Sequence, residues 1–244
     1  MRIWGMTHRG AVRGENQDSY YFTSPDENGL TLGVVCDGMG GAKGGKVASR
    51  LAIRTFTDQL RSNFHDNLEE GPLKQALENA AQISNQVIYE RSIAEPGLQG
   101  MGTTMVAAAV QPGSAVVLNV GDSRAYHIKN GAIERITNDH SLVEDMVSRG
   151  KITQEEARHH PQKNLITRAL GAEKEVVCDL FSIPLSIGDY LVLCSDGLSN
   201  LVPEKELLAK VLHSGEPSTC CESLLNLVLS RGAPDNVTIV LFQF

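Results

Sequence analysis

Apolar residues recur along the chain with two periods. Short apolar or alternating runs at residues 2–8, 19–23 and 30–37 read as strands. A helical period follows over 46–63, where Val47, Leu51, Phe56 and Leu60 recur on one side. A second amphipathic helix fits 72–93, with Leu73, Ala76, Leu77, Ala80, Ile83, Val87 and Ile88 on one face. Residues 94–101 read as a loop. Strands resume at 103–110, 114–121, 124–129 and 132–137, the last two joined at Lys129-Asn130-Gly131, a hairpin signal because Asn-Gly tolerates positive φ. Residues 139–175 break this rhythm. They are polar and weakly helical, and Gly150, His159-His160-Pro161 and Gly171 interrupt them, as in a helical insertion laid over a sheet. Strands at 176–183 and 189–195, helices at 203–213 and 218–230, and a strand at 237–243 complete the chain. This order predicts an α+β fold, a two-layer β core covered by helices. Strict βα alternation is missing, so a doubly wound parallel sheet is not expected.

Four of the apolar segments are bounded by a carboxylate. Leu32-Gly33-Val34-Val35-Cys36 ends in Asp37, the run 115–121 ends in Asp122, and Tyr190-Leu191-Val192-Leu193-Cys194-Ser195 ends in Asp196. Asp235-Asn236 precedes the last strand. If that strand runs antiparallel to the others, all four carboxylates meet at one edge of a sheet. Crowded carboxylates repel, and a hard divalent cation with oxygen ligands offsets the repulsion.

At 244 residues, with 41% hydrophobic and 21% charged content, the chain suits one large soluble domain or two small ones. A formal charge of -7 with no basic block argues against nucleic acid or an anionic membrane as partner, and means that an anionic substrate needs a local basic group. No apolar run is long enough to span a membrane, and the start, Met1 to His8, is too short and polar for a secretory signal. The five cysteines are odd in number and lack C-x-x-C spacing. Cys36 and Cys194 read as core residues, and Cys220-Cys221 lie in a helix. A reducing cytoplasm is the expectation.

Each motif has a bland alternative. Asp37-Gly38 and Asp196-Gly197 are common turn signals, although a glycine after a metal-binding Asp also frees its carbonyl as a ligand. Gly121-Asp122-Ser123-Arg124 fits a tight turn with an exposed arginine, and Asp235-Asn236 an Asx turn. Gly40 to Lys46 matches the P-loop spacing G-x-x-x-x-G-K between a strand and a helix, but Val47 stands where Ser or Thr would hold Mg²⁺. Arg13, in the polar stretch 9–18, is either a solvated surface residue or a phosphate clamp. His8, His65, His127 and His213 have no evident partner, and His140 is a candidate cap through Asp139 or Ser141. No Ser-His-Asp or Cys-His set assembles, which points toward metal-activated water rather than covalent catalysis.

Seven pieces, in order over nearly the whole chain, resemble the metal-dependent Ser/Thr protein phosphatases of type 2C in their compact bacterial form. They are Arg13 with Asn16-Gln17-Asp18, Val35 to Gly41, Met101-Gly102-Thr103-Thr104, Val120 to Arg124, Thr137 to Ser141, Leu193 to Leu198, and Asp235-Asn236-Val237-Thr238. The resemblance implies a four-layer α-β-β-α sandwich with two central, mainly antiparallel sheets. It implies a single catalytic domain over 1–244, with a helical flap at about 141–175. It also implies a binuclear Mn²⁺ or Mg²⁺ site in which Asp37 bridges, Asp196 and Asp235 hold the first ion, and the Gly38 carbonyl and Asp18 serve the second. Asp122 with Asp196 would form a weaker third site, and Arg13 would bind the substrate phosphate. The expected activity is hydrolysis of phosphoserine and phosphothreonine in proteins, by a cytoplasmic monomer opposing a bacterial Ser/Thr kinase. Many relatives carry a His where this chain has Met39 or Ala42, which leaves the source of the leaving-group proton open. Two other readings compete: a phosphatase-like binding module without activity, and a P-loop NTPase using Lys46.

Overall fold

The computed structural model describes residues 1–23, 31–63 and 69–244. In chain order the strands are β1 (Arg2–His8), β2 (Ser19–Phe22), β3 (Thr31–Cys36) and the short β4 (Gly38–Met39), followed by helices α1 (Gly41–Asn63) and α2 (Glu70–Ala94). Next come β5 (Gly102–Thr103), β6 (Met105–Gln111), β7 (Ser114–Val120), β8 (Arg124–Lys129) and β9 (Ala132–Arg135). Helices α3 (Leu142–Ser148) and α4 (Gln154–His159) precede β10 (Asp179–Pro184) and β11 (Tyr190–Cys194). The one-turn α5 (Asp196–Ser199), α6 (Glu204–His213), α7 (Pro217–Ser230) and β12 (Val237–Gln243) close the chain.

Two five-stranded sheets form the centre, in the orders β1-β12-β11-β8-β9 and β10-β7-β6-β3-β2. Every pairing within them is antiparallel. The strand runs look continuously apolar because both faces of each sheet are covered. In β3, Leu32, Val34 and Cys36 join the cluster beneath α1 and α2, whereas Val35 faces the other sheet. In β12, Val237, Ile239 and Leu241 pack with Leu207, Leu224 and Val228 of α6 and α7, whereas Val240 and Phe242 point inward. Side chains alternate across a strand, so these two sets define the outer and inner interfaces. Three apolar layers result, one between the sheets and one under each helical pair. This is the expected four-layer α-β-β-α sandwich.

The hairpin between β8 and β9 turns at Asn130 and Gly131, with φ of 51° and 74°, as the Asn-Gly pair demands. Several boundaries differ from expectation. Helix α1 begins at Gly41 rather than residue 46, because the glycines there serve close backbone packing rather than a loop. The expected strand over 176–183 begins at Asp179, where pairing with Asn119 of β7 starts. Leu30, expected to open β3, and His65 lie outside the described residues. Segment 139–175 carries α3 and α4, α4 opening on a full capping box of Thr153 and Glu156. Bridges Ser141↔Ile166 and Thr103↔Leu170 tie its ends to the body. All five cysteines are free. Among the described residues no helix is long and apolar enough to cross a membrane.

Candidate active site

The carboxylates converge at one end of the sandwich, two from each sheet. Because β3 and β7 flank β6 and are both antiparallel to it, they run in the same direction, and Asp37 and Asp122 follow their ends at the same sheet edge. In the other sheet Asp196 follows the end of β11 by two residues, and Asp235 precedes the start of its antiparallel neighbour β12 by two. The expected single sheet edge is therefore corrected to an edge shared by two sheets. Asp18 joins from the segment before β2. Buried backbone carries each group, Cys36, Cys194 and Ser195 being fully inaccessible, while Asp37, Asp122, Asp196 and Asp235 keep part of their surface open.

Electrostatics marks Asp37 as the centre of the group. Desolvation, then the charges of Asp18, Asp196, Asp122 and Asp235, push its carboxyl well above the usual range. Asp122 is pushed up to about 7, mainly by desolvation and next by Asp196. Desolvation lifts Asp18 to about 6 against hydrogen bonds from Thr238 and Ser195. Desolvation and then Asp235 raise Asp196. Two buried carboxylate oxygens, Asp18 Oδ1 and Asp196 Oδ1, have no hydrogen-bond partner. Mutually repelling carboxylates with unpartnered oxygens are a donor set for hard cations. Among the described residues no three His, Cys, Asp or Glu side chains close on one point tightly enough to enclose an ion by themselves. Mg²⁺-type ions take one or two carboxylates and keep several waters, so the set fits shared, partly hydrated ions rather than an all-protein cage.

Arg13 is the local cation. Its Nη2 donates to Asp235 Oδ2 at 2.7 Å, and this bond, with the charges of Asp235, Asp37 and Asp196, raises the guanidinium pKa. More than half of its side chain remains exposed, at 58%, so the fork is available to a ligand. Gly38 sits in β4, where a Cβ would lie 2.0 Å from the Gly45 carbonyl oxygen. Gly197 is equally constrained, with a Cβ falling 1.9 Å from the Asn236 carbonyl. The two Asp-Gly pairs are therefore close backbone crossings that lock the carboxylates, beyond being turns.

Several supporting residues carried no assigned role in the sequence. Thr104 clamps Asp37: its Oγ1 accepts from the Asp37 N–H at 2.9 Å and lies 2.7 Å from Ser123 Oγ, beside Asp122. Thr103 Oγ1 donates to the Asp37 carbonyl. Asn236 accepts from Gln17 N and donates to the carbonyls of Arg9 and Glu15, which ties the Arg13 loop to Asp235. In the sequence Ser123 and Asn236 stand next to an acid, whereas Thr103 and Thr104 do not.

Other expectations shift. Arg124 is not an exposed turn residue but forks onto Asp139, at 2.9 Å and 2.6 Å. His127 is buried against Asp189, and His140 accepts from Gly121 N at 3.1 Å while Ser141 provides the cap of α3. Lys46 lies inside α1 and pairs with Glu15, so no phosphate-cradling loop precedes it.

A family model described as "Protein phosphatase 2C" matches residues 6–225. The chain belongs to this family. It is 37% identical over 238 residues to the serine/threonine phosphatase stp of Listeria monocytogenes serotype 4b, covering 97% of this chain and 93% of the relative. The crystal structure of Stp1 from Staphylococcus aureus superposes with a TM-score of 0.90 at 38% identity, over 99% of this chain and 94% of that one. The catalytic domain of the serine threonine protein phosphatase PstP, solved in complex with two manganese ions, superposes at 0.86 with 34% identity, over 98% and 96% of the two chains.

Proposed function

We propose that this phosphatase 2C chain hydrolyses phosphoserine and phosphothreonine in proteins, using divalent cations held at the end of the sandwich. The carrying observation is the convergence of Asp18, Asp37, Asp122, Asp196 and Asp235 from both sheets with Arg13 beside them. Asp37, repelled by all four other carboxylates, would be shared by two cations, with Asp196 and Asp235 serving the first and the Gly38 carbonyl and Asp18 the second. Asp122 with Asp196 would serve a weaker third. When bound, the cations would supply an activated water and positive charge toward the phosphoryl oxygens. Mn²⁺ is the first ion to test, because the PstP structure holds it; Mg²⁺ suits the same oxygen donors.

The chain's own groups account for substrate selection. The planar guanidinium of Arg13 matches two phosphate oxygens and orients the phosphorus over the carboxylate cluster. No imidazole stands at Met39 or Ala42, and His140 is engaged by Gly121 and Asp179, so the leaving oxygen takes its proton from water. Residues 141–175 form the flap beside the site within one catalytic domain over 1–244. The protein acts as a cytoplasmic monomer against the products of a Ser/Thr kinase, without nucleic acid or membrane as partner.

The test is phosphate release from a phosphothreonine peptide across a Mn²⁺ series. Turnover should require Mn²⁺, stop with EDTA, and fall by at least about 10³-fold in kcat/KM in Asp37→Asn, about 4 kcal/mol of transition-state stabilisation. Full turnover of Asp37→Asn, or turnover in EDTA, would overturn the proposal.

A further inference from the structure

The two oxygens of the Asp18 carboxylate are treated unequally. Oδ2 accepts from Ser195 Oγ at 2.8 Å and from Thr238 Oγ1 at 2.6 Å, whereas Oδ1 is buried without a partner. Both donors are fully inaccessible, each 0% exposed, and both are themselves held. The Thr238 N–H donates to Ser195 Oγ at 3.0 Å, and Thr7 Oγ1 lies 2.7 Å from Thr238 Oγ1. Asn16 closes the circuit, donating through Nδ2 to Thr7 Oγ1 at 2.9 Å and accepting through Oδ1 from the Asp18 N–H at 3.2 Å. The Asp18 backbone and one of its carboxylate oxygens are thereby fixed through side chains on four segments, β1, the loop before β2, the residue after β11, and β12.

A network that served only to satisfy a buried acid would share its donors between the two oxygens, since an unpartnered buried acceptor is costly. Two hydroxyls on one oxygen and none on the other fix an orientation instead. The same short segments that carry Asp196 and Asp235 carry Ser195 and Thr238, so each delivers a carboxylate to the site and a hydroxyl to Asp18. We propose that Ser195 and Thr238 are positioning residues that hold Asp18 with Oδ1 turned toward the second cation or its water. The proposal rests on the metal-dependent reading above and adds the groups that orient one of its carboxylates. Hydrogen-bond partners of metal-associated carboxylates set affinity by holding orientation, and their loss characteristically weakens binding about 10- to 100-fold.

The test is calorimetric titration of Mn²⁺ into the metal-free full chain, for wild type, Ser195→Ala, Thr238→Val, Thr238→Ser and Asp37→Asn. Urea unfolding in EDTA is measured alongside. One class of Mn²⁺ site should weaken by about 10- to 100-fold in Ser195→Ala and in Thr238→Val, with the other class retained. Thr238→Ser, which keeps the hydroxyl, should restore wild-type affinity. A purely structural role would lower the urea midpoint without splitting the two classes, and Thr238→Ser would then follow stability rather than hydroxyl content. Wild-type affinity at both classes in folded Ser195→Ala overturns the proposal, and this variant decides the matter if Thr238→Val does not fold. Wild-type titration of Asp37→Asn would instead sink the metal reading itself.

Discussion

Arg13 and Asp235 show how far one contact shapes a site. The guanidinium donates to the carboxylate oxygen at 2.7 Å, so in the absence of other ligands each neutralises the other. A substrate phosphate offers Arg13 a second anion. Arg13→Ala should therefore raise KM for a small phosphoester at least about 10-fold, with a smaller fall in kcat, because what is lost is chiefly ground-state binding of the phosphate. Steady-state kinetics on para-nitrophenyl phosphate check this, and an unchanged KM would place Arg13 outside the phosphate site. At this scale much was legible. Asp37, Asp122, Asp196 and Asp235 stand at the ends of apolar runs, and a strand end fixes where a side chain emerges. Asp18 came from the family pieces alone, since no period marks a polar loop, and for Arg13 those pieces favoured the phosphate clamp over a solvated surface residue. The bonds of Thr104, Ser195 and Thr238 were illegible, because nothing in the sequence ties a hydroxyl to an acidic residue 67, 177 or 220 positions away. His127 was missed for the same reason: Asp189, its partner, lies on a different strand connection.

Among the elements, glycine separates what the pattern reveals from what it hides. The run from Gly38 to Gly45 reads as a glycine-rich loop leading into a helix, yet it forms β4 and the first turn of α1. The glycines are there because Gly38 and Gly45 cross in backbone contact. At the opposite sheet Gly197 crosses the carbonyl of Asn236. In Gly197→Ala the new Cβ would lie 1.9 Å from a backbone oxygen, so α5 and the start of β12 must part. The expected cost is at least about 2 kcal/mol, read as a lowered urea midpoint, together with weaker Mn²⁺ binding because Asp196 and Asp235 separate. A midpoint equal to wild type would show that the crossing has slack. Strand and helix periods were recovered well where burial is one-sided or continuous. Segment 139–175 was recovered only as an interruption, because α3 and α4 are short and exposed on much of their surface and leave little periodicity to read.

For the whole molecule, the site is a seam between two sheets, each contributing two strand-end carboxylates whose repulsion burdens the metal-free sandwich. Divalent cation binding should therefore stabilise it. At 100 times the dissociation constant the gain is about 2.7 kcal/mol per site, visible as a rise in the melting temperature that EDTA reverses. Asp37→Asn should melt at or above the wild-type temperature in EDTA and show a smaller rise with Mn²⁺. Equal melting of the wild type with and without saturating Mn²⁺ would contradict this. The layered architecture was legible from element order, but sheet membership was not, because nothing local tells β11 that its neighbours are β8 and β12. The pairing of β1 with β12, which sets Arg2 opposite Gln243, has a consequence for synthesis. A ribosome delivers the chain from its N-terminus, so Asp37 and Asp122 emerge well before Asp235, Thr238 and the strand that pairs with β1. Until then Asp18 lacks one of its two donors and β1 lacks its neighbour. A chain released short of β12 should therefore be silent toward phosphoproteins however much of the rest it carries, so activity should depend on this one strand rather than grow with length.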